Sequence, residues 1–205
     1  VMKAYLNQDR ITDSQSIINH YGLSSRTNKK TDLLVAETYK SAGEFQEARE
    51  VLEKLINADK TSPEAEWNLA LLELNAGNLN LGWDLYRARW RWDDFTSPKR
   101  AFASEWWDGV KDLNDKQVLI WGEQGLGDQL RFLTLLPNFL EKYPAASVTV
   151  EVDKKLCSLV ARWFPEVSVQ PFGPKDAIGQ RSYECFDMHF PSGDLGNVFF
   201  NSKEK

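Results

Sequence analysis

The sequence predicts an α plus α/β chain, with helical hairpins in the first half and a parallel-sheet half-domain in the second. Three observations predict it. The first half repeats itself at a spacing of 34 residues. From Gln117 onward, short apolar runs alternate with amphipathic stretches, the pattern of strands joined by helices. Between the first such strand and helix lies a loop with three glycines, "GEQGLGD". The boundaries are residues 1–92 for the repeats, 93–116 for a Trp-rich connector, and 117–205 for the α/β part.

Composition narrows the function classes. The 205 residues carry a formal net charge of -5, which argues against a nucleic-acid binder with a basic stripe. No apolar run approaches the ~20 residues of a membrane helix. The opening "VMKAYLNQDRITDSQ" lacks the apolar core of a signal peptide, so a cytoplasmic location is expected. Cys157 and Cys185 are too few for a disulfide framework or a cysteine-based zinc site, and no metal site is expected. Eight tryptophans are many for this length, and Trp90, Trp92, Trp106 and Trp107 crowd together. They suit packing, or a ligand cage.

The repeats come first in order. Displaced by 34 residues, "AETYKSAGEFQEAREVLEK" lies over "ALLELNAGNLNLGWDLYRA". Ala36 meets Ala70, Gly43 meets Gly77, Phe45 meets Leu79, and Ala48 meets Gly82. In the other direction Tyr39 falls on Tyr5, and Leu52 on Ile18. Small residues allow two helices to approach closely, and Gly43 and Gly77 suit the turn between them. Pro63 fits the first turn of the next helix. The second full repeat departs from the pattern, with Glu73 where Tyr39 stood. A 34-residue period with fixed small positions resembles the tetratricopeptide family over about residues 1–92. That resemblance implies a groove able to hold a peptide, or a brace for the next domain. Tyr5 stands part-way into a repeat and Val precedes the Met, so a fragment cut upstream is expected.

The connector is irregular, with Pro98, Gly109 and mixed charge. Arg87 and Arg91 can share a helical face, with Arg89, Lys99 and Arg100 nearby. They suit an anion patch, or a helix end whose arginines stack on Trp90 or Trp92.

In the α/β part, "QVLIWG", "SVTVEVD", "VSVQPFG" and "CFDMHFP" read as strands. "DQLRFLTLLPNFLEKY" reads as a helix broken near Pro137, "KKLCSLVARWF" as an amphipathic helix, and "SGDLGNVFF" as a helix start. The glycine loop therefore lies at the carboxyl end of a parallel strand, where such sheets bind ligands. Its spacing is G-x-x-G-x-G, with no following lysine, so neither the dinucleotide nor the P-loop fingerprint is present.

"WNLALLEL…GWDLYRARW" followed by "WDG…VLIWGEQGLGDQLRFLTLLPNF" resembles the junction of bacterial tetratricopeptide proteins that carry a glycosyltransferase-like domain. "GLGDQLRF" is also similar to the G-x-G-D opening of heptosyltransferases, and the resemblance extends over about residues 30–200. It implies the acceptor-side, Rossmann-like half of a glycosyltransferase B fold, acting on a protein or glycan acceptor. No resident cofactor is implied, but a nucleotide-sugar donor is expected for the full-length parent. The donor-binding half is not recognisable in these residues, so the chain alone is expected to be inactive. Asp128 matches the aspartate of the motif and is implied as general base toward the acceptor hydroxyl. Gly125 and Gly127 would admit a ligand closely, and Glu123, Gln124 and Gln129 could bond sugar hydroxyls. Asp128 is equally suited to capping the helix that follows. His189, ending a strand, suits a site or a core edge. The other class of function is a non-catalytic module whose repeats bind a partner beside a degenerate scaffold.

Overall fold

The computed structural model describes residues 1–22, 28–58, 62–172 and 185–200. The protein combines helices with a parallel sheet, and it divides into two compact units between Asp93 and Asp94. Among the described residues no helix is long and apolar enough to cross a membrane.

The first unit is helical: α1 (Met2–Leu6), α2 (Ile11–Tyr21), α3 (Lys29–Ala42), α4 (Phe45–Ala58), α5 (Pro63–Asn75) and α6 (Leu79–Tyr86). A 3-10 turn, Arg87–Arg91, follows. The helices pack in pairs, α1 with α2, α3 with α4, and α5 with α6. The Asn28 side chain caps α3 by accepting from the amides of Lys30 and Thr31. Gly43 ends α3 at φ +80°, and Gly77 turns the chain from α5 to α6 at φ +83°, the left-handed conformation that glycine adopts without a Cβ clash. Ala36, Ala48, Leu52, Leu55, Ala65, Leu69 and Leu72 form the core of α3 to α5.

Gly82 shows why the alanine position of the repeat shrinks further in α6. A Cβ there would lie 2.7 Å from Leu74 Cγ and 2.9 Å from the Leu74 backbone nitrogen. The departure at residue 73 is also explained. Glu73 is buried, receives two hydrogen bonds from Arg49 at 2.6 and 3.0 Å, and accepts from Asn78 at 2.6 Å.

The second unit is built on five parallel strands: β1 (Glu105–Trp106), β2 (Gln117–Trp121), β3 (Ser147–Val152), β4 (Ser168–Pro171) and β5 (Met188–Pro191). Their order across the sheet is β1-β5-β2-β3-β4. The helices are α7 (Leu126–Leu133), α8 (Leu136–Lys142), α9 (Cys157–Trp163) and α10 (Leu195–Phe199). The long run from 128 to 143 is broken at residues 134 and 135, and Pro137 sits in the first turn of α8, where its missing N–H costs little. Alternate strand residues point to opposite faces. Val118, Ile120, Val148, Val150, Val152, Met188 and Phe190 face a core with Leu133, Leu136, Phe139 and Val160 from the helices. Leu119, Trp121, Glu151 and His189 occupy the intervening positions.

Residues 94–116 lie within the stretch that the sequence marks as a Trp-rich connector. They belong to the second unit and contribute β1, which pairs with β5 at Glu105↔Met188 and Trp106↔His189. The tryptophan doublet spans the pleat. Trp107 is 1% exposed among Phe139, Tyr143 and Phe190 and donates its indole N–H to Lys111 O at 2.9 Å. Trp106 turns to the other side, against Trp121 and His189.

Replacing Gly82 with alanine tests the close approach of α6 to α5. Helix propensity alone would favour alanine by about 1 kcal/mol. Overpacking against a neighbouring backbone atom costs ~1–3 kcal/mol. The expected result is a lower urea midpoint for Gly82→Ala. A higher midpoint would show that the two helices have room to part.

Candidate functional site

The glycine loop leaves β2 at Gly122 and enters α7 at Leu126. It lies where the sheet order reverses. From β2 the chain steps to β3 and β4 on one side, whereas β5 and β1 lie on the other. Both of the following helices lie on one face of the sheet, since α10 shares the core of α7 and α8. The loop after β2 is residues 122–125, and the one after β5 is the 3-10 turn Ser192–Asp194, which packs against α7. Ser192 is 1% exposed, and its hydroxyl has no hydrogen-bond partner among the described residues.

The three glycines have different reasons. Gly122 is required by packing, because a Cβ there would lie 2.9 Å from the Gln129 side chain. Gly125, extended at φ -83° and ψ 173°, is the N-cap of α7. Its Cβ would meet only an Asp128 oxygen, at 3.5 Å. A Cβ on Gly127 would have nothing within 4 Å. The left-handed residue of the loop is Gln124, at φ +59°, and its amide donates to Ser97 Oγ at 2.6 Å. A non-glycine residue held there costs on the order of 1 kcal/mol or more, which that contact and the loop's other bonds must offset.

Asp128 stands at the third helical position, because α7 begins two residues earlier than the sequence suggested. It therefore caps from within the helix. Its Oδ2 accepts from the Gly125 amide at 3.2 Å, and its Oδ1 accepts from Arg131 Nη2 at 3.0 Å. Glycine has no side chain to return the bond, so this is half of a capping box. The carboxylate keeps about a third of its surface in solvent.

The other candidates separate. Gln124, Gly125, Gly127 and Asp128 share the loop and the first turn of α7. Gln129 is 2% exposed, and its Oε1 accepts from the Asp153 amide at 2.9 Å, tying α7 to the end of β3. Glu123 is likewise 2% exposed.

His189 is a core histidine. It is 3% exposed, its Nδ1 accepts the Trp121 indole N–H at 3.2 Å, and the rings of Phe102, Trp106 and Trp121 surround it. Since indole can only donate, the ring proton belongs on Nε2. Burial foremost, and the Arg100 charge after it, lower its pKa from 6.5 to about 4.

The arginines expected as an anion patch are engaged internally. Arg89 is fully buried over Tyr86 and Trp90, and Arg91 pairs with Glu66. Arg100 pairs with Glu151, a fully buried carboxylate that also accepts from Gln170 at 3.2 Å. Ser97 and Arg100, which hold the segment after Asp94 to the loop and the sheet, have no signal in the sequence beyond lying in a tryptophan-rich stretch. Among the described residues no group of three His, Cys, Asp or Glu could hold a metal ion.

His189 gives the unit a calculable pH dependence. The unfolded chain takes up the proton near pH 6.5 and the folded chain only near pH 4. The stability from the neutral ring is therefore complete above about pH 6.5, falls between 6.5 and 4, and is lost below. The full amount is on the order of 3 kcal/mol. Urea unfolding between pH 7 and 4 should show this loss. His189→Gln, which leaves an acceptor for the indole, should flatten that part of the profile.

No protein-family model matches the chain. It is similar to Protein FlbA of Caulobacter vibrioides, with 31% identity over 116 residues, 53% of this chain and 19% of that protein. The chain thus spans about a fifth of the length of the curated relative it matches.

Proposed function

We propose that the second unit is the acceptor-side half of a bacterial, cytoplasmic glycosyltransferase, and that the helix pairs are tetratricopeptide repeats. The observation that carries this reading is the space at Gly125 and Gly127. Neither glycine has a positive φ, and a Cβ at either meets no close obstacle. The turn does not require them, so their value lies in what they leave open at the carboxyl end of β2. Asp128 borders that space with part of its carboxylate in solvent. A sugar hydroxyl is a weak nucleophile, and a carboxylate within hydrogen-bond reach can take its proton as the glycosidic bond forms. Leaving-group departure from a nucleotide-sugar then needs a donor-binding half, so turnover is a property of a longer parent.

A second reading has its own support. Both Asp128 oxygens are already engaged, by Gly125 and Arg131, as a purely structural cap would be. The α/β unit would then be a scaffold, with the helical repeats holding a peptide of a partner protein.

Gly127→Ala and Asp128→Asn separate the two. Alanine inside α7 should leave the 205-residue chain as stable, or more stable by up to about 1 kcal/mol. In an active longer parent the same change should lower kcat/KM at least tenfold, because the methyl group enters the ligand's space. Asp128→Asn should lower kcat there by about 10²- to 10⁴-fold. A parent that loses thermal stability with Asp128→Asn but keeps its kcat has only a cap at this position.

A further inference from the structure

The glycine loop is held from two directions that meet at one residue. Gly122, where the loop leaves β2, donates its amide to the Glu151 carbonyl oxygen at 2.6 Å. Gln124 donates its amide to Ser97 Oγ, also at 2.6 Å. Ser97 stands three residues before Arg100, and Arg100 pairs with the carboxylate of that same Glu151. Gly122, Glu151, Arg100, Ser97 and Gln124 therefore close a ring of contacts. The left-handed residue of the loop, Gln124 at φ +59°, is a member of that ring.

The part of the ring most easily moved is the stretch 97–102. It belongs to no helix or strand, lying between the 3-10 turn Arg87–Arg91 and β1. Side chains hold it in place. Ser97 is on the loop, Lys99 lies 5.5 Å over the Trp106 ring, Arg100 is on Glu151, and Phe102 lies 4.5 Å from the His189 ring. A segment outside the backbone ladder opens at lower cost than the sheet beside it. Pro98 stiffens this one, because its ring fixes its own φ and confines Ser97 to extended backbone. A displacement at Arg100 is thus carried to Ser97. Gln124 then loses a bond that offsets a conformation non-glycine residues avoid. The next residue, Gly125, is the N-cap whose amide Asp128 accepts.

We propose that residues 97–102 are a strap that switches the glycine loop between two shapes, with Arg100 as the latch and Ser97 as the positioning residue. Latched, the strap keeps Gln124 left-handed and the Gly125–Asp128 cap in place. Lifted, it lets Gln124 relax to negative φ and loosens the entry to α7. A ligand that binds only the latched loop closes the strap, and the coupling acts equally in the other direction. The strap–loop coupling stands apart from the glycosyl-transfer reading, whereas its role as a gate for substrate rests on that reading.

Amide exchange in the 205-residue chain tests the coupling. Arg100→Gln combined with Glu151→Gln removes the latch without leaving a buried charge unpaired. The Gln124 amide, whose partner is Ser97, should then exchange at least tenfold faster, while Val118 and Ile120 of β2 change less than threefold. Ser97→Ala should accelerate Gln124 to the same extent, and Ser97→Thr, which keeps the hydroxyl, should restore slow exchange. Unchanged Gln124 exchange in the double variant would overturn the proposal. So would an acceleration that Val118 and Ile120 share, because the whole sheet would then have loosened. The exchange result decides the coupling whether or not a longer parent transfers a sugar. In an active parent Ser97→Ala should lower kcat/KM at least tenfold, and an unchanged kcat/KM beside faster Gln124 exchange would overturn the gate alone.

Discussion

A glutamate with no solvent exposure in the middle of a parallel sheet sets the terms for the second unit. An ionised carboxylate in such a place must be paired, since an uncompensated charge there costs several kcal/mol. Glu151 is paired with Arg100, on the segment that precedes the sheet in sequence. The pair draws that segment onto the sheet, and the rest follows from it. Ser97 arrives at the Gln124 amide, Phe102 arrives on His189, and β1 reaches the edge of β5. A salt bridge of this kind is weak evidence for stability but a good device for registering one segment against another.

The two faces of the sheet consequently differ in character. One is a hydrocarbon core of valine, isoleucine and phenylalanine shared with helices. The other carries an indole–imidazole hydrogen bond, an ion pair and two further rings at defined angles. Hydrocarbon packing is tolerant of exchange, whereas a chain of directional contacts has one satisfactory arrangement. The glycine loop is thus held, through Ser97, by the segment that covers the more exacting of the two faces.

Much of this was legible in the sequence because it rests on local pattern. Strands β2 to β5 are short apolar runs, Pro137 announces the break between α7 and α8, and Gly43 and Gly77 mark real turns. What was not legible depends on partners distant in the chain. Glu105 and Trp106 are too few to show a period, and they become a strand only because Met188 and His189 lie beside them. Gln129 accepts from the Asp153 amide, a partner that no local pattern around residue 129 announces. His189 owes its lowered pKa to burial and then to Arg100, and its indole partner Trp121 lies 68 residues earlier. At Asp128 the error was one of boundary. Leu126 and Gly127 could have been loop, and once they turn helical the aspartate moves from the cap into the first turn.

The placement of β5 between β1 and β2 bears on how the chain is made. The helix pairs close on near neighbours and can form as they leave the ribosome. The sheet cannot be completed in that way, because the strand that joins β1 to β2 is the last of the described strands to be synthesised. Until Met188 to Pro191 emerge, β2 has an unpaired edge and Val118 and Ile120 lack their neighbours Met188 and Phe190. A nascent or truncated chain ending before that point presents an apolar, hydrogen-bond-hungry strand to its surroundings, the type of surface on which chaperones act and aggregates begin.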